Sequence, residues 1–240
     1  YTYMLIYQLD AYVFKDELLN WANKGYDYIG APWLPWKKRH LSVIGRYRLY
    51  CQRLFCRLFD EKTFKTDKYY AYQVAGAMGI NAVQYGLSKW KGRLCSTCEL
   101  FTSKEYSFMP IGNIVKDGGI KAVIEYYKSL GDKYYNAFVD MIVFDAVILN
   151  TDRHFGNFGF MVYNHLNKIC APAPLFDHGL SLLTYAMDDD LQDWEKYAKT
   201  RVPATYSDFT ELAKQLMGHS QKEKLRKLIN FKFKKHPRYN

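Results

Sequence analysis

Two stretches set the reading of this chain: Asn150-Thr151-Asp152-Arg153-His154-Phe155-Gly156-Asn157 and, further on, Phe176-Asp177-His178-Gly179. Between them, residues 158–163 and 168–172 read as two short strands joined by Asn164-His165-Leu166-Asn167, a hairpin. Residues 119–129 and 133–149 carry apolar side chains at three- and four-residue spacing, which predicts two helices around the turn Leu130-Gly131-Asp132. Further ahead, residues 61–68 read as a polar boundary, a helix over 69–78 ends at Gly79, and strands over 81–87 and 92–100 flank a turn at 88–91. Helices over 190–199, 207–217 and 221–231 finish the chain. Asp152, then Asn157 five residues later, then a hairpin, then Asp177-x-Gly179 would place two carboxylates and one amide at the ends of the same hairpin. Carboxylate and amide oxygens suit a hard cation such as Mg²⁺, and a carboxylate can orient a hydroxyl and take its proton. Each residue alone has an ordinary use: Asp152 in a turn, Asn157 at a left-handed position, Asp177 as a helix cap. Their shared order and spacing favour a joint role.

The same order is the one by which protein kinases set a catalytic Asp, a metal-binding Asn and a second metal-binding Asp around the phosphates of ATP. Here Asp152 follows Asn150-Thr151 and precedes His154, the run continues as Asn157-Phe158-Gly159, and residues 173–179 read Ala-Pro-Leu-Phe-Asp-His-Gly. In this form the chain resembles the HipA-like protein kinases of bacteria, including the smaller CtkA-like members, from about residue 69 to residue 240. The resemblance implies an ATP- and Mg²⁺-dependent serine/threonine kinase acting on a protein substrate. It implies Asp152 as catalytic base, Asn157 and Asp177 as Mg²⁺ ligands, and Cys98-Glu99-Leu100-Phe101 as a hinge whose backbone at Glu99 and Phe101 meets the adenine. His154 would order the loop. A role as the toxin of a toxin–antitoxin pair, with an antitoxin as partner, is also what the resemblance implies.

The front half of a kinase is harder to find. A Gly-rich loop, a strand lysine and a helix glutamate normally precede the hinge. Residues 1–68 contain no Gly-x-Gly, Lys62 and Lys65 lie on no alternating strand, and the helix expected over residues 69–78 holds no Glu, with Gln73 as its one polar substitute. Loss of a positioned phosphate clamp predicts impaired turnover, because preorganised charge is a large part of such catalysis. A catalytically dead binding module is the alternative.

The opening third has another character. Residues 3–9 and 26–29 read as short strands around a helix over residues 15–23, a β-α-β unit. Tyr7-Gln8-Leu9-Asp10-Ala11-Tyr12-Val13-Phe14 with Gly25-Tyr26-Asp27-Tyr28-Ile29-Gly30-Ala31-Pro32-Trp33 resembles a fragment of a bacterial glycosyltransferase family of largely unknown function. That resemblance makes Asp10 a candidate for metal and diphosphate, with turn formation as its plainer use, and it implies remnant glycosyltransferase activity of this region as a second alternative function. The organisation expected is therefore a glycosyltransferase-like fragment with a basic helix over 1–67, joined to a kinase hinge and C-terminal lobe over 68–240. A chimera fused near residues 60–75 follows from that expectation.

At 240 residues, 49% of them hydrophobic, with a mean hydropathy of -0.34, the chain can bury a core, so disorder and low-complexity scaffolds are excluded. No apolar run reaches the roughly 18 residues that cross a bilayer, since residues 138–149 are broken by Asp140 and Asp145. Tyr1 opens within an apolar pattern and without a signal-peptide signature, which predicts a fragment or a joined piece. Five cysteines, at positions 51, 56, 95, 98 and 170, are too few for a disulfide scaffold and suggest a reducing cytoplasm. Cys95 and Cys98 have metal-ligand spacing but lack a second pair, so strand thiols are the simpler reading.

The net charge of +10 is concentrated in residues 36–57, with seven Lys or Arg and no acid, and residues 222–238, with eight against Glu223. Such stripes suit a nucleic-acid partner or a solvated face equally. The fold expected is α+β: a mostly helical C-terminal lobe with a catalytic hairpin, and a reduced sheet region before the hinge.

Overall fold

The computed structural model describes residues 28–29, 67–90 and 93–238. In chain order they form β1 (Tyr28–Ile29), α1 (67–78), β2 (Tyr85–Trp90), β3 (Arg93–Cys98), β4 (Tyr106–Pro110), α2 (Ile111–Ile114), α3 (Gly119–Ser129), α4 (Asp132–Ile148), β5 (Gly159–Tyr163) and β6 (Lys168–Pro172). Four short helices follow: α5 (Asp188–Gln192), α6 (Trp194–Lys199), α7 (Phe209–Leu216) and α8 (His219–Arg226). The α+β architecture expected from the sequence is present.

Helix α4 is the centre of the helical lobe. Phe138, Val139, Met141, Ile142, Val143, Phe144 and Ile148 are all buried, so the helix is apolar on nearly every side. A helix of that kind must be enclosed by protein. Tyr127 of α3 closes on Phe138 and Phe160, with ring centroids 4.8 and 4.9 Å apart, and α7 covers another side with Phe209 and Ala213. The first helix joins the same core through Ala71, Val74, Ala75 and Met78, which recur at three- and four-residue spacing. It stops at Gly79, whose φ is +72°.

Two antiparallel three-stranded sheets flank this core. One has the order β1-β3-β2 and the other β4-β5-β6. In the first, Tyr85 pairs with Cys98 and Trp90 with Arg93, so Ser88 and Lys89 lie in strand β2 rather than in the turn expected at 88–91. Tyr28 and Ile29 lie against Cys98 and Thr97, adding an edge strand from the opening third of the chain. Of the expected β-α-β unit only this strand is described, and it runs antiparallel to β3; Asp10, Lys62, Lys65, Cys51, Cys56 and the basic stretch 36–57 lie outside the described residues.

Strand β4 is an addition to the sequence reading. Its alternation is short, and its partner β5 is some fifty residues downstream, where Tyr106 meets Tyr163 and Pro110 meets Gly159. Close approach here depends on Gly159: a Cβ at that position would stand 2.1 Å from the Met109 carbonyl oxygen. The helix expected over 190–199 is split in two at Asp193, whose side chain accepts from the Lys196 N–H and starts α6 afresh. The last helix, expected over 221–231, ends at Arg226. Within the basic C-terminal stripe, Lys224 pairs with Asp140 and Arg226 with Glu223, so part of that charge is engaged internally.

Gly159→Ala should separate β4 from β5 and lower stability by about 1–3 kcal/mol or more, as overpacking does. Urea denaturation followed by circular dichroism measures it; an unchanged midpoint would mean the two strands tolerate the extra methyl.

Candidate active site

Helix α4 ends at Leu149, which turns left-handed (φ +52°), and the chain enters the loop 150–157. Leu149 and Asn150 both direct their N–H groups to the Asp145 carbonyl. The loop is held from the other side by residues 180–182, with Thr151 N–H on the Leu180 carbonyl at 3.0 Å and Leu182 N–H on the Ile148 carbonyl at 2.7 Å.

A charged network fixes the loop from within. Arg153 is 1% exposed and grips Asp145 with two bonds, Nε to Oδ2 at 2.8 Å and Nη2 to Oδ1 at 3.0 Å. Asn150 Nδ2 also donates to Asp145 Oδ1. Nη1 of Arg153 donates to the carbonyls of Asn157, at 3.1 Å, and Phe176, at 2.6 Å, while Nη2 faces His178 Nδ1 at 3.1 Å. A guanidinium can only donate, so His178 Nδ1 accepts. Burial first, and then the charges of Arg153 and Lys68, hold the His178 imidazole neutral well below its ordinary range. One arginine thus joins α4, the loop and the segment after β6.

That segment is placed by β-type contacts. Ala82 bridges Leu175, with Val83 N–H on the Leu175 carbonyl at 2.8 Å and Leu175 N–H on the Asn81 carbonyl at 2.9 Å. Asp177 follows with φ +57°, a sparsely populated conformation for a residue other than glycine, and its N–H donates to Tyr85 Oη at 3.1 Å.

Asn157 lies between the two aspartates, against the backbone carbonyl of Asp152 and the carboxylate of Asp177. Asn157 Nδ2 lies 3.1 Å from the Asp152 carbonyl and 3.4 Å from Asp177 Oδ2. Asn157 is not left-handed, and Asp177 caps no helix. The Asp152 carboxyl is half-buried; desolvation raises it above its ordinary value, the Asp177 charge pushes the same way, and His154, Arg153 and Lys68 oppose. His154 is exposed and orders the turn, its Nδ1 accepting from Gly156 N–H at 3.0 Å.

Glu99 and Phe101 lie on the connection 99–105 between β3 and β4, which joins the two sheets. Glu99 is exposed. Phe101 packs its ring 5.3 Å from Phe176 and 6.0 Å from Phe108, so the connection touches the residue before Asp177. Cys95 and Cys98 are half-buried on β3, where a three-residue offset sends side chains to opposite faces. A groove of about 550 Å³ beside Glu105, Tyr106, Tyr163 and Lys168 shares no residue with this cluster.

Lys68 is the site residue that sequence reasoning assigned to a polar boundary. Its Nζ stands 2.7 Å from Asp177 Oδ1 and 5.7 Å from the centre of the Tyr85 ring. A signal for it existed: positions 68, 71, 75 and 78 share one helix face, and the last three are buried. Its neighbour Asp67 is also buried and accepts a hydrogen bond from Thr184 Oγ1.

Residues 1–71 match a family described as "Protein of unknown function (DUF5672)". That description carries no sugar transfer, so the glycosyltransferase-like fragment, and the chimera built on it, gain no support. The serine/threonine-protein kinase CtkA of Helicobacter pylori is 28% identical over 136 residues, 51% of this chain. The chain spans about two fifths of that relative's length, the match covering 42% of it. The crystal structure of the Helicobacter pylori proinflammatory kinase CtkA superposes with a TM-score of 0.57 at 19% identity, over 70% of this chain and 71% of that one. The described residues therefore have a kinase-type α+β fold, and the chain is similar to a HipA-like kinase-fold protein.

Two measurements probe the interior of this site. Asp145→Ala leaves the Arg153 guanidinium buried without its counter-charge and should cost about 3–5 kcal/mol in urea denaturation; a loss below 1 kcal/mol, on the order of an exposed pair, would deny the pair its anchoring role. Burial pushes the Asp67 carboxyl up to about 7, from 3.8, against the opposing hydrogen bond from Thr184. Between those values the unfolded chain is ionised while the folded chain keeps its proton, so this stabilisation is complete below pH 3.8 and is lost by about pH 7. Relative to Asp67→Asn, the wild type should lose stability as pH rises from about 4 to 7; a constant difference between the two proteins contradicts it. His178 titrates alike in both and cancels.

Proposed function

We propose that this chain is an ATP- and Mg²⁺-dependent serine/threonine protein kinase of the HipA-like type. The observation that carries the reading is that Asn157 sits between the backbone carbonyl of Asp152 and the carboxylate of Asp177, groups from two stretches of chain, on the rim of the buried network centred on Arg153. Similarity to the Helicobacter pylori kinase supports it.

The donor set fits a hard divalent cation. Asp177 offers a carboxylate whose side chain is 39% exposed, and Asn157, with its Nδ2 engaged by Asp152 and Asp177, has its amide oxygen as the remaining ligand. When bound, Mg²⁺ and ATP would supply the transferable phosphoryl group and screen its charge. Asp152 orients the acceptor hydroxyl and accepts its proton at a carboxylate oxygen. Arg153 holds the loop carrying Asp152 at a fixed distance from the segment carrying Asp177. The connection 99–105, through the backbone of Glu99 and Phe101, is assigned to the adenine, with the Phe101 and Phe176 rings closing one wall.

The division near residue 67 is supported by the family match that ends at residue 71. Strand β1 nevertheless ties the first region to the front sheet. A protein bearing a Ser or Thr hydroxyl is the substrate assigned; the toxin–antitoxin role rests on resemblance alone.

Incubation with labelled ATP and Mg²⁺ should label the protein itself or a generic protein substrate, and Asp152→Asn should reduce the rate by about 10²–10⁴-fold. Without Mg²⁺ and ATP, the Asp152 carboxyl should titrate above the ordinary Asp range in NMR, since burial raises it; an ordinary titration contradicts that burial. Equal labelling by wild type and variant would sink the mechanism.

A further inference from the structure

We propose that Lys68 is the phosphate-binding lysine of this site, delivered by the first turn of α1 described here instead of by a front-sheet strand. The inference rests on the kinase reading above and supplies the clamp that residues 1–66 do not show in their sequence.

Four features converge on this lysine. It sits on the helix face that buries Ala71, Ala75 and Met78, and its side chain is only 21% exposed, so its charge is set into the site and not spread over the surface. Its Nζ is 2.7 Å from Asp177 Oδ1, while Asn157 Nδ2 approaches the other oxygen at 3.4 Å. A phosphate held beside Asp177 is therefore held beside an ammonium. Tyr85 aligns both partners: its hydroxyl accepts from Asp177 N–H, and its ring lies 5.7 Å from Nζ. Finally, Gly179 leaves a path for the lysine stem. A Cβ there would stand 3.0 Å from Lys68 Cε, so the glycine after Asp177-His178 serves the lysine as well as the backbone.

The pairing also accounts for the missing glutamate. In the common arrangement a helix carboxylate holds a strand lysine. Here the lysine is on the helix and Asp177 itself holds it. With Asp177 engaged by a cation, the Lys68 ammonium would be free to donate to phosphate oxygens, the charge-assisted contact that an ammonium makes well. Asp67, bonded to Thr184, fixes the same turn of helix to the segment after Gly179.

A plain stabilising ion pair is the competing explanation, and nucleotide binding separates the two. Affinities for ATP with Mg²⁺ and for adenosine are measured by calorimetry on wild type, Lys68→Met and Lys68→Arg. A charged hydrogen bond of about 1.5–3 kcal/mol corresponds to roughly 10–100-fold. Lys68→Met should lose that factor for ATP and nothing for adenosine, with Lys68→Arg recovering part of it. In the wild type, without any substitution, Mg²⁺ and ATP should protect Lys68 from reductive methylation read by mass spectrometry, and adenosine should not. Equal loss for ATP and adenosine, or unchanged methylation with ATP, overturns the clamp while leaving the kinase reading in place. A wild type that binds neither ATP nor adenosine overturns the kinase reading, and the clamp with it.

Discussion

The buried pair of Arg153 and Asp145 is the constraint on which the site hangs. A guanidinium this far from water is tolerated only when its charge is matched and its donors are used, and here Asp145, the carbonyls of Asn157 and Phe176, and His178 take them. Because those acceptors belong to the central helix, the loop after it and the segment after the hairpin, satisfying one side chain sets three backbones at once. The hairpin between them has little choice of position, and Asp152, Asn157 and Asp177 inherit their spacing from it. Asn150 adds a third bond to the same carboxylate, so the loop is tied at its first residue as well as its last.

Around that frame the remaining charged groups gather at Asp177 and Asp152. Asp177 is held in a left-handed conformation by Tyr85 and by the bridge at Leu175, and its carboxylate is shared between an amide and an ammonium. Strain of this kind persists only where the surroundings impose it. Asp152 sits nearby with its carboxyl raised by burial, while His178 beneath is kept neutral, so no imidazolium adds to the positive charge of Arg153 in the interior. The front sheet contributes Tyr85 and shares an edge strand with the opening third of the chain, while α1 contributes Lys68. The helical lobe is therefore not the sole source of the groups at this site.

Local pattern carried much of this fold. The spacing of apolar residues located α3 and α4 within a residue, the turn Asn164–Asn167 located the second hairpin, and Gly79 stopped α1, because each depends on neighbours in sequence. Strand β4 escaped for the opposite reason: five residues of weak alternation become a strand only against β5. The break at Asp193 was a contest between continuing a helix and capping a new one, which composition does not settle. Asp145 stood out in the sequence only as a charge in an apolar helix, and Arg153 only as a letter in a motif.

The order Asp, Asn, hairpin, Asp-x-Gly specified three of the polar groups of the site and their side of the molecule, since a hairpin returns its ends to one place. It did not specify Lys68, because a lysine one residue outside an expected helix reads as a solvated boundary until the helix is docked. Docking is a property of the assembled core: Ala71, Ala75 and Met78 turn α1 so that position 68 faces Asp177, and Gly179 leaves it room. Chemistry that depends on adjacent residues was written in the chain. Chemistry that depends on which faces meet required the folded molecule, where long-range packing chooses among helix rotations that are locally equivalent.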